Sequence, residues 1–186
     1  MTSKVYFTDF RVRKRNARKN VLEKLDALFE ESGLDEIFEK NDIVAIKTHF
    51  GTWGSTRCLR PVYIRRIVDN VKKRGGDPFV TETCGLGHKE RSFAHQVVKV
   101  AAHNGFTFET LGAPIICADG LSGLDGVEIP INGLKLKKAH IASALAHAHS
   151  IISVAHAKLH PGTGIAGAVK NLGIGAATKL GKAEAT

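Results

Sequence analysis

The stretch from residue 43 to residue 83 limits what this chain can fold into more than any other. An apolar run, IVAIKT at residues 43–48, leads into a loop at residues 49–60 that carries Gly51 and Gly54. Pro61 then opens a helix that continues through residues 63–74 and stops at Gly75-Gly76, and a second apolar run, PFVTET, follows at residues 78–83. Proline suits the first helical position because the amide it lacks would have no intrahelical acceptor there. Glycine after the last turn takes the left-handed conformation that ends a helix. Two short, nearly continuous apolar runs joined by a helix are the pattern of parallel strands buried on both faces.

The same alternation extends along the chain. Residues 4–10 read as a first strand, and residues 16–32 as a helix with Val21, Leu22, Leu25, Leu28 and Phe29 at helical spacing and Gly33 as its stop. Cys84 to Lys89 form a glycine-bearing loop. Ser92 is a candidate cap for a helix running to His103, ended by Gly105. Residues 107–109 and 114–117 are short strand candidates. Residues 118–136 are glycine-rich and predicted irregular, with a hairpin around residues 127–136. Residues 139–147 read as helix, 150–154 as strand, 155–163 as loop, and 164–171 as the start of a final helix. The expected fold is α/β: a Rossmann-like, mostly parallel sheet with helices on both faces and a glycine-rich insertion around residues 118–136, in a single domain over residues 1–186.

Charge and cysteines narrow the function classes. Lys plus Arg number 27 and Asp plus Glu 18, a net charge of +9. Six basic side chains fall in residues 11–19 without interleaved aromatics, so a solvated helix face competes with a nucleic-acid footprint there, and nucleic-acid binding is the weaker reading. From Ala139 onward Glu184 is the sole acid, against four lysines and five histidines, a balance that favours an anionic ligand. No apolar run approaches the roughly 20 residues of a membrane span. Cys58, Cys84 and Cys117, at spacings of 26 and 33, form neither a disulfide framework nor a CxxC motif. A reducing, cytoplasmic setting with three free thiols is expected.

In an open parallel sheet, ligands bind beyond the carboxyl ends of the strands. Three polar clusters fall at such ends: Lys47-Thr48-His49, Glu82-Thr83-Cys84-Gly85, and the run from His156 to His160. If their strands are neighbours, they share a cleft, and His49, Glu82, Lys158 and His160 meet in it. Residues 155–175, AHAKLHPGTGIAGAVKNLGIG, are the richest segment. Gly162, Thr163, Gly164 and Gly167 allow close backbone approach to a ligand, and amides at the start of the following helix suit an anion. Lys158, His160, Lys170 and Asn171 add charge and hydrogen-bonding groups. Neither a Walker motif nor a Rossmann GxGxxG is present. Thr56 and Arg57, in the loop before Pro61, are further anion-binding candidates. Glu82 and Cys84 could act as base and thiol nucleophile, with His49 beside them. His49, His156 and His160, together with His88, form a metal hypothesis, with Glu82 or Cys84 as added donors.

The sequence resembles the family catalogued as domain of unknown function 362. The resemblance rests on IVAIKTHFG, STRCLRPVYIRRIVDNVKKRGG and TETCG in that order, and above all on SVAHAKLHPGTGIAGAVKNLGIG, which is similar to a family pattern of Pro-Lys-Leu-Lys-Thr-His, glycines, and a small-residue helix ending Lys-Asn-Leu-(Met/Gly)-Gly. His156 replaces the usual Pro, and His160-Pro161 replaces Thr-His. Many members carry a ferredoxin-like C-terminal segment with cysteine motifs for 4Fe–4S clusters, so the resemblance implies iron–sulfur-linked redox or cofactor-processing chemistry. This chain has no ligand motif for such a cluster. It stops at Thr186, where relatives usually continue, which implies a truncated chain, a fragment, or half of a split protein. A remoter similarity, through residues 56–61, is to the N-terminal domain of the nickel-pincer lactate racemase family. The leading expectation is a domain that binds a small anionic ligand or redox cofactor. The alternative is a non-catalytic subunit completed by a ferredoxin-like partner.

Overall fold

The computed structural model describes residues 2–12, 20–87 and 89–185. In chain order the elements are α1 (Val21–Glu31), β1 (Ile43–Lys47), α2 (Pro61–Lys73), β2 (Asp77–Glu82), α3 (Ala94–His103), α4 (Phe108–Leu111), β3 (Ile115–Cys117), β4 (Gly126–Pro130), β5 (Lys138–Ala142), α5 (Ser143–Ala146), β6 (Ser150–Ser153), β7 (Leu159–His160), β8 (Gly164–Ile165), α6 (Ala168–Gly173) and α7 (Lys179–Ala185). Four strands form the central sheet in the order β3-β2-β1-β6, all parallel. The α/β, Rossmann-like reading is correct.

Strand alternation divides the core in two. Val44, Ile46, Val80 and Ile152 point to one face, where Phe29 of α1, Ile64, Ile67, Val68 and Val71 of α2, Val97 and Ala101 of α3, and Leu111 of α4 cover them. Ala45 and Phe79 point to the other face, onto Ala118, Ala142, Leu145 and Ala176. That second face is small-residue rich, and its cover is the β4-β5 hairpin with α5 and the C-terminal segment. The buried positions 64, 67, 68 and 71 on α2 form a single helical stripe, between the Pro61 start and the Gly75-Gly76 stop that marked this helix in the sequence. Among the described residues, no helix is long and apolar enough to cross a membrane.

Several expected elements differ. Residues 4–10 form no strand. Lys24 instead holds the end of this segment, donating to the Asp9 and Arg11 carbonyls at 3.1 and 2.8 Å, while Val5 and Phe7 stay exposed. The helix predicted over residues 16–32 is described from Val21, with Asn20 as its cap accepting from the Leu22 and Glu23 amides. Residues 13–19, most of the basic segment, lie outside the described residues. Thr107 caps the helical turn α4 where a strand was expected. Residues 138–142 pair antiparallel with β4, so the expected helix over residues 139–147 shrinks to α5, and the hairpin is wider than residues 127–136. The ladder to β4 outweighs the modest helical preference of that alanine-rich stretch. Phe93, not Ser92, occupies the cap of α3, and the Gln96 side chain accepts from both of their amides. The last predicted helix starts at Ala168 rather than at residue 164. Gly164 and Gly167 have φ of +67° and +106°, which break helical geometry, and Gly164-Ile165 instead pairs with Leu159-His160.

Candidate functional site

The chain runs outward from β1 to β2 to β3, then crosses back to place β6 on the other side of β1. This reversal is the topological switch point at which open α/β sheets leave a crevice beyond the strand ends. A cavity of about 470 Å³ opens there, lined by residues that follow β1, β2 and β6 and by α6 and α7. The three polar clusters therefore do share one cleft.

Its floor is a buried ion pair. Lys47, fully buried as the last residue of β1, places Nζ 2.7 Å from Glu82 Oε1, at the end of β2. Nζ also donates to Asn171 Oδ1 at 3.0 Å and to the Thr48 carbonyl at 3.0 Å, so all three ammonium protons have acceptors. Glu82 accepts from the Thr83 amide, and its Oε2 lies 2.6 Å from His49 Nδ1. Burial by itself would raise the Glu82 pKa. The Lys47 charge and the His49 contact outweigh it and hold the carboxylate far below its usual range. Asn171 Nδ2 returns two hydrogen bonds, to the Lys47 carbonyl and to Ser153 Oγ, each 2.9 Å. One amide side chain thus ties α6 to β1 and β6. Gly175 packs directly over the Asn171 carbonyl with Lys47 Nζ 3.2 Å from where a Cβ would stand, so glycine is required there.

The walls are cationic. Arg57, Arg91, Lys158, Lys170 and Lys182 line the cavity with Lys47, and Glu82 is the single acidic residue among the lining side chains. Burial, and the neighbouring charges of Arg91, Lys158 and Lys47, lower the Lys170 pKa despite the pull of Glu82. Burial likewise lowers that of Lys182, whose Nζ donates to Thr83 Oγ1 and the Cys84 carbonyl, each 2.6 Å. Desolvation and the charges of Lys170, Lys158 and His49 lower the His160 pKa. Arg91 Nε is buried with no hydrogen-bond partner among the described residues.

A family model, described as domain of unknown function (DUF362), matches residues 44–186. The chain belongs to this family. No curated protein and no solved structure matches it. The DUF362 match spans β1 to α7 and so takes in every residue of the cavity. Lys170 and Asn171, expected to bind ligand, both line the cavity, but the Asn171 side chain is engaged by Lys47 and Ser153.

The other expected site residues fall as follows. His49, Glu82, Cys84, Arg57, His156, Lys158, His160, Gly162 and Thr163 line the cavity, and Thr56 and Gly164 do not. The Gly162 amide is spent locally, donating to His160 Nδ1 at 3.1 Å. The ligand atoms of His49, His156 and His160 are not among those that converge within metal-binding reach; among the described residues, Cys84, Cys117 and Asp119 alone do so. His88 lies outside the described residues. Glu82 and Cys84 do not form a base–thiol pair, because both Glu82 oxygens are engaged by Lys47, Thr83 and His49, and Cys84 Sγ lies 3.7 Å from Cys117 Sγ. A carboxylate held so far below neutrality is also a weak base. Arg91, Lys182 and Asp119 were missed. Asp119 sits two residues past a strand end, the position that marked the other clusters, whereas Lys182 lies just beyond the end of the 155–175 segment and no motif singles it out.

Proposed function

We propose that this domain binds a small anionic ligand or cofactor, bearing phosphate or carboxylate groups, in the cavity at the switch point. The observation that carries this is the buried Arg91 Nε, unpartnered among the described residues, in a cavity whose lining holds six cationic side chains and one carboxylate. A buried donor left without an acceptor costs about 1–3 kcal/mol, which a ligand oxygen would recover. Lys47 is fully satisfied and serves as a fixed floor, so Arg91, Lys170 and Lys158 are the groups that meet the ligand. A cavity of about 470 Å³ is within the usual range for small-molecule sites. As part of the same proposal, the bound ligand would serve iron–sulfur-linked redox or cofactor-processing chemistry, with any cluster held by a ferredoxin-like partner.

Calorimetric titration of orthophosphate, pyrophosphate, a nucleoside diphosphate and a dicarboxylate into the whole chain tests this. Saturable binding of one of them, weakened in Arg91→Ala and Lys170→Ala, is expected. Folded protein that takes up none of these anions, or variants that bind as tightly as the wild type, would remove the proposal's support.

A further inference from the structure

The strand ends hold a second cluster that the cavity chemistry does not use. Cys84 follows β2, Cys117 ends β3, and Asp119 follows it; register places Glu82 beside Cys117. One donor atom from each of the three residues lies within 4.8 Å of the others. Cys84 is buried, Asp119 is fully buried, and Cys117 is partly so.

The distances have the form of a metal's coordination shell. Tetrahedral zinc with bonds of about 2.3 Å to sulfur and about 2.0 Å to oxygen sets its ligand atoms roughly 3.8 Å apart for S···S and roughly 3.5 Å for S···O. Cys84 Sγ and Cys117 Sγ are 3.7 Å apart, and Cys117 Sγ is 3.4 Å from Asp119 Oδ1. Asp119 is also fixed in orientation, since the Cys84 amide donates to both of its oxygens at 2.9 and 3.1 Å. A ligand carboxylate held by an outer hydrogen bond is the usual arrangement around a bound metal.

Charge agrees with this. Two thiolates and a carboxylate carry three negative charges, and a divalent ion leaves one. Lys182, whose Nζ sits 2.6 Å from the Cys84 carbonyl, places a compensating cation beside the cluster.

We infer that Cys84, Cys117 and Asp119 form a three-ligand site for a thiophilic divalent cation of the zinc type, with one coordination position left for a further ligand. Two sulfurs and one oxygen suit zinc over magnesium or calcium, which take oxygen donors. Three protein ligands with an open position are the pattern of reactive rather than purely structural zinc. The site adjoins the anion cavity rather than lying within it, because Cys84 lines that cavity whereas Cys117 and Asp119 do not.

The experiment uses the whole chain, reduced and stripped with a chelator, then titrated anaerobically with cobalt(II) and with zinc. Expected is one equivalent of cobalt with a thiolate-to-metal charge-transfer band and tetrahedral ligand-field bands, displaced by zinc. Cys117→Ser and Asp119→Asn should weaken binding by more than the roughly 10–100-fold that loss of an outer partner brings. Cys58→Ser should change nothing, since Cys58 Sγ is directed at the Ser55 carbonyl. X-ray absorption on zinc-loaded wild type needs no variant and should show two sulfur neighbours at about 2.3 Å. A shell of nitrogen and oxygen alone, cobalt bands unchanged in Cys117→Ser, or quantitative Cys84–Cys117 disulfide in place of metal uptake would each overturn the inference.

Discussion

Two polar clusters lie a strand apart on the same sheet edge, and they are built on opposite rules. Around Lys47 and Glu82, each charge meets an opposite charge, and the spare hydrogen-bonding capacity is taken up by Asn171, Thr83, Thr48 and His49. Around Cys84, Cys117 and Asp119, the donor atoms are all potential ligands, two of them ionisable thiols. The first cluster is complete as it stands and acts as a rigid floor. The second gains its full set of partners when a cation joins it. Lys182 joins the two, touching Thr83 on one side and the Cys84 carbonyl on the other.

The contrast can be broken most directly at Glu82. Glu82→Gln leaves the Lys47 ammonium buried without its counter-charge, and a loss of about 3–5 kcal/mol in chemical denaturation is expected. Replacing both partners, as in Lys47→Met with Glu82→Leu, should cost less than that single change. The sign in acid follows from the lowered Glu82 pKa. The pair's contribution is complete above the unfolded carboxyl value of about 4.3 and is lost as pH falls below it. Denaturation midpoints should therefore drop more steeply below that pH in wild type than in Glu82→Gln.

A smaller effect is expected on the cavity wall. Lys170→Ala removes a charge-assisted contact worth about 1.5–3 kcal/mol, so affinity for the best-bound anion should fall roughly tenfold or more in calorimetry. Because Lys170 has a lowered pKa, anion affinity in wild type should also decline as pH rises through it, at a lower pH than an ordinary lysine would give. The smallest effect belongs to the cysteine cluster in its metal-free state. Cys117→Ser should cost about 1 kcal/mol, the weight of one ordinary hydrogen bond, by thermal or chemical denaturation without metal. If Cys117→Ser proved as damaging as Glu82→Gln, the division into a complete and an incomplete cluster would be wrong.

The alternation of apolar runs and helices in residues 43–83 determined the parallel sheet core, since β1, α2 and β2 are each specified by their own residues: a continuous apolar run, a proline start with a 64, 67, 68, 71 stripe, and a glycine stop. Strand-end position alone also determined that His49, Glu82, Lys158 and His160 share a cavity, because in a parallel sheet all carboxyl ends face one way. Tertiary structure decided the rest. Residues 138–142 became a strand because β4 was there to pair with them, whereas residues 4–10 form none and the end of that segment is held by Lys24 instead. That Lys47 is a sealed floor while Lys170 is a free wall, and that Cys84 converges with Cys117 and Asp119, depends on contacts between residues 33 to 124 positions apart. Local periodicity carries information over a few turns of chain, whereas such contacts exist only once the strands are ordered side by side.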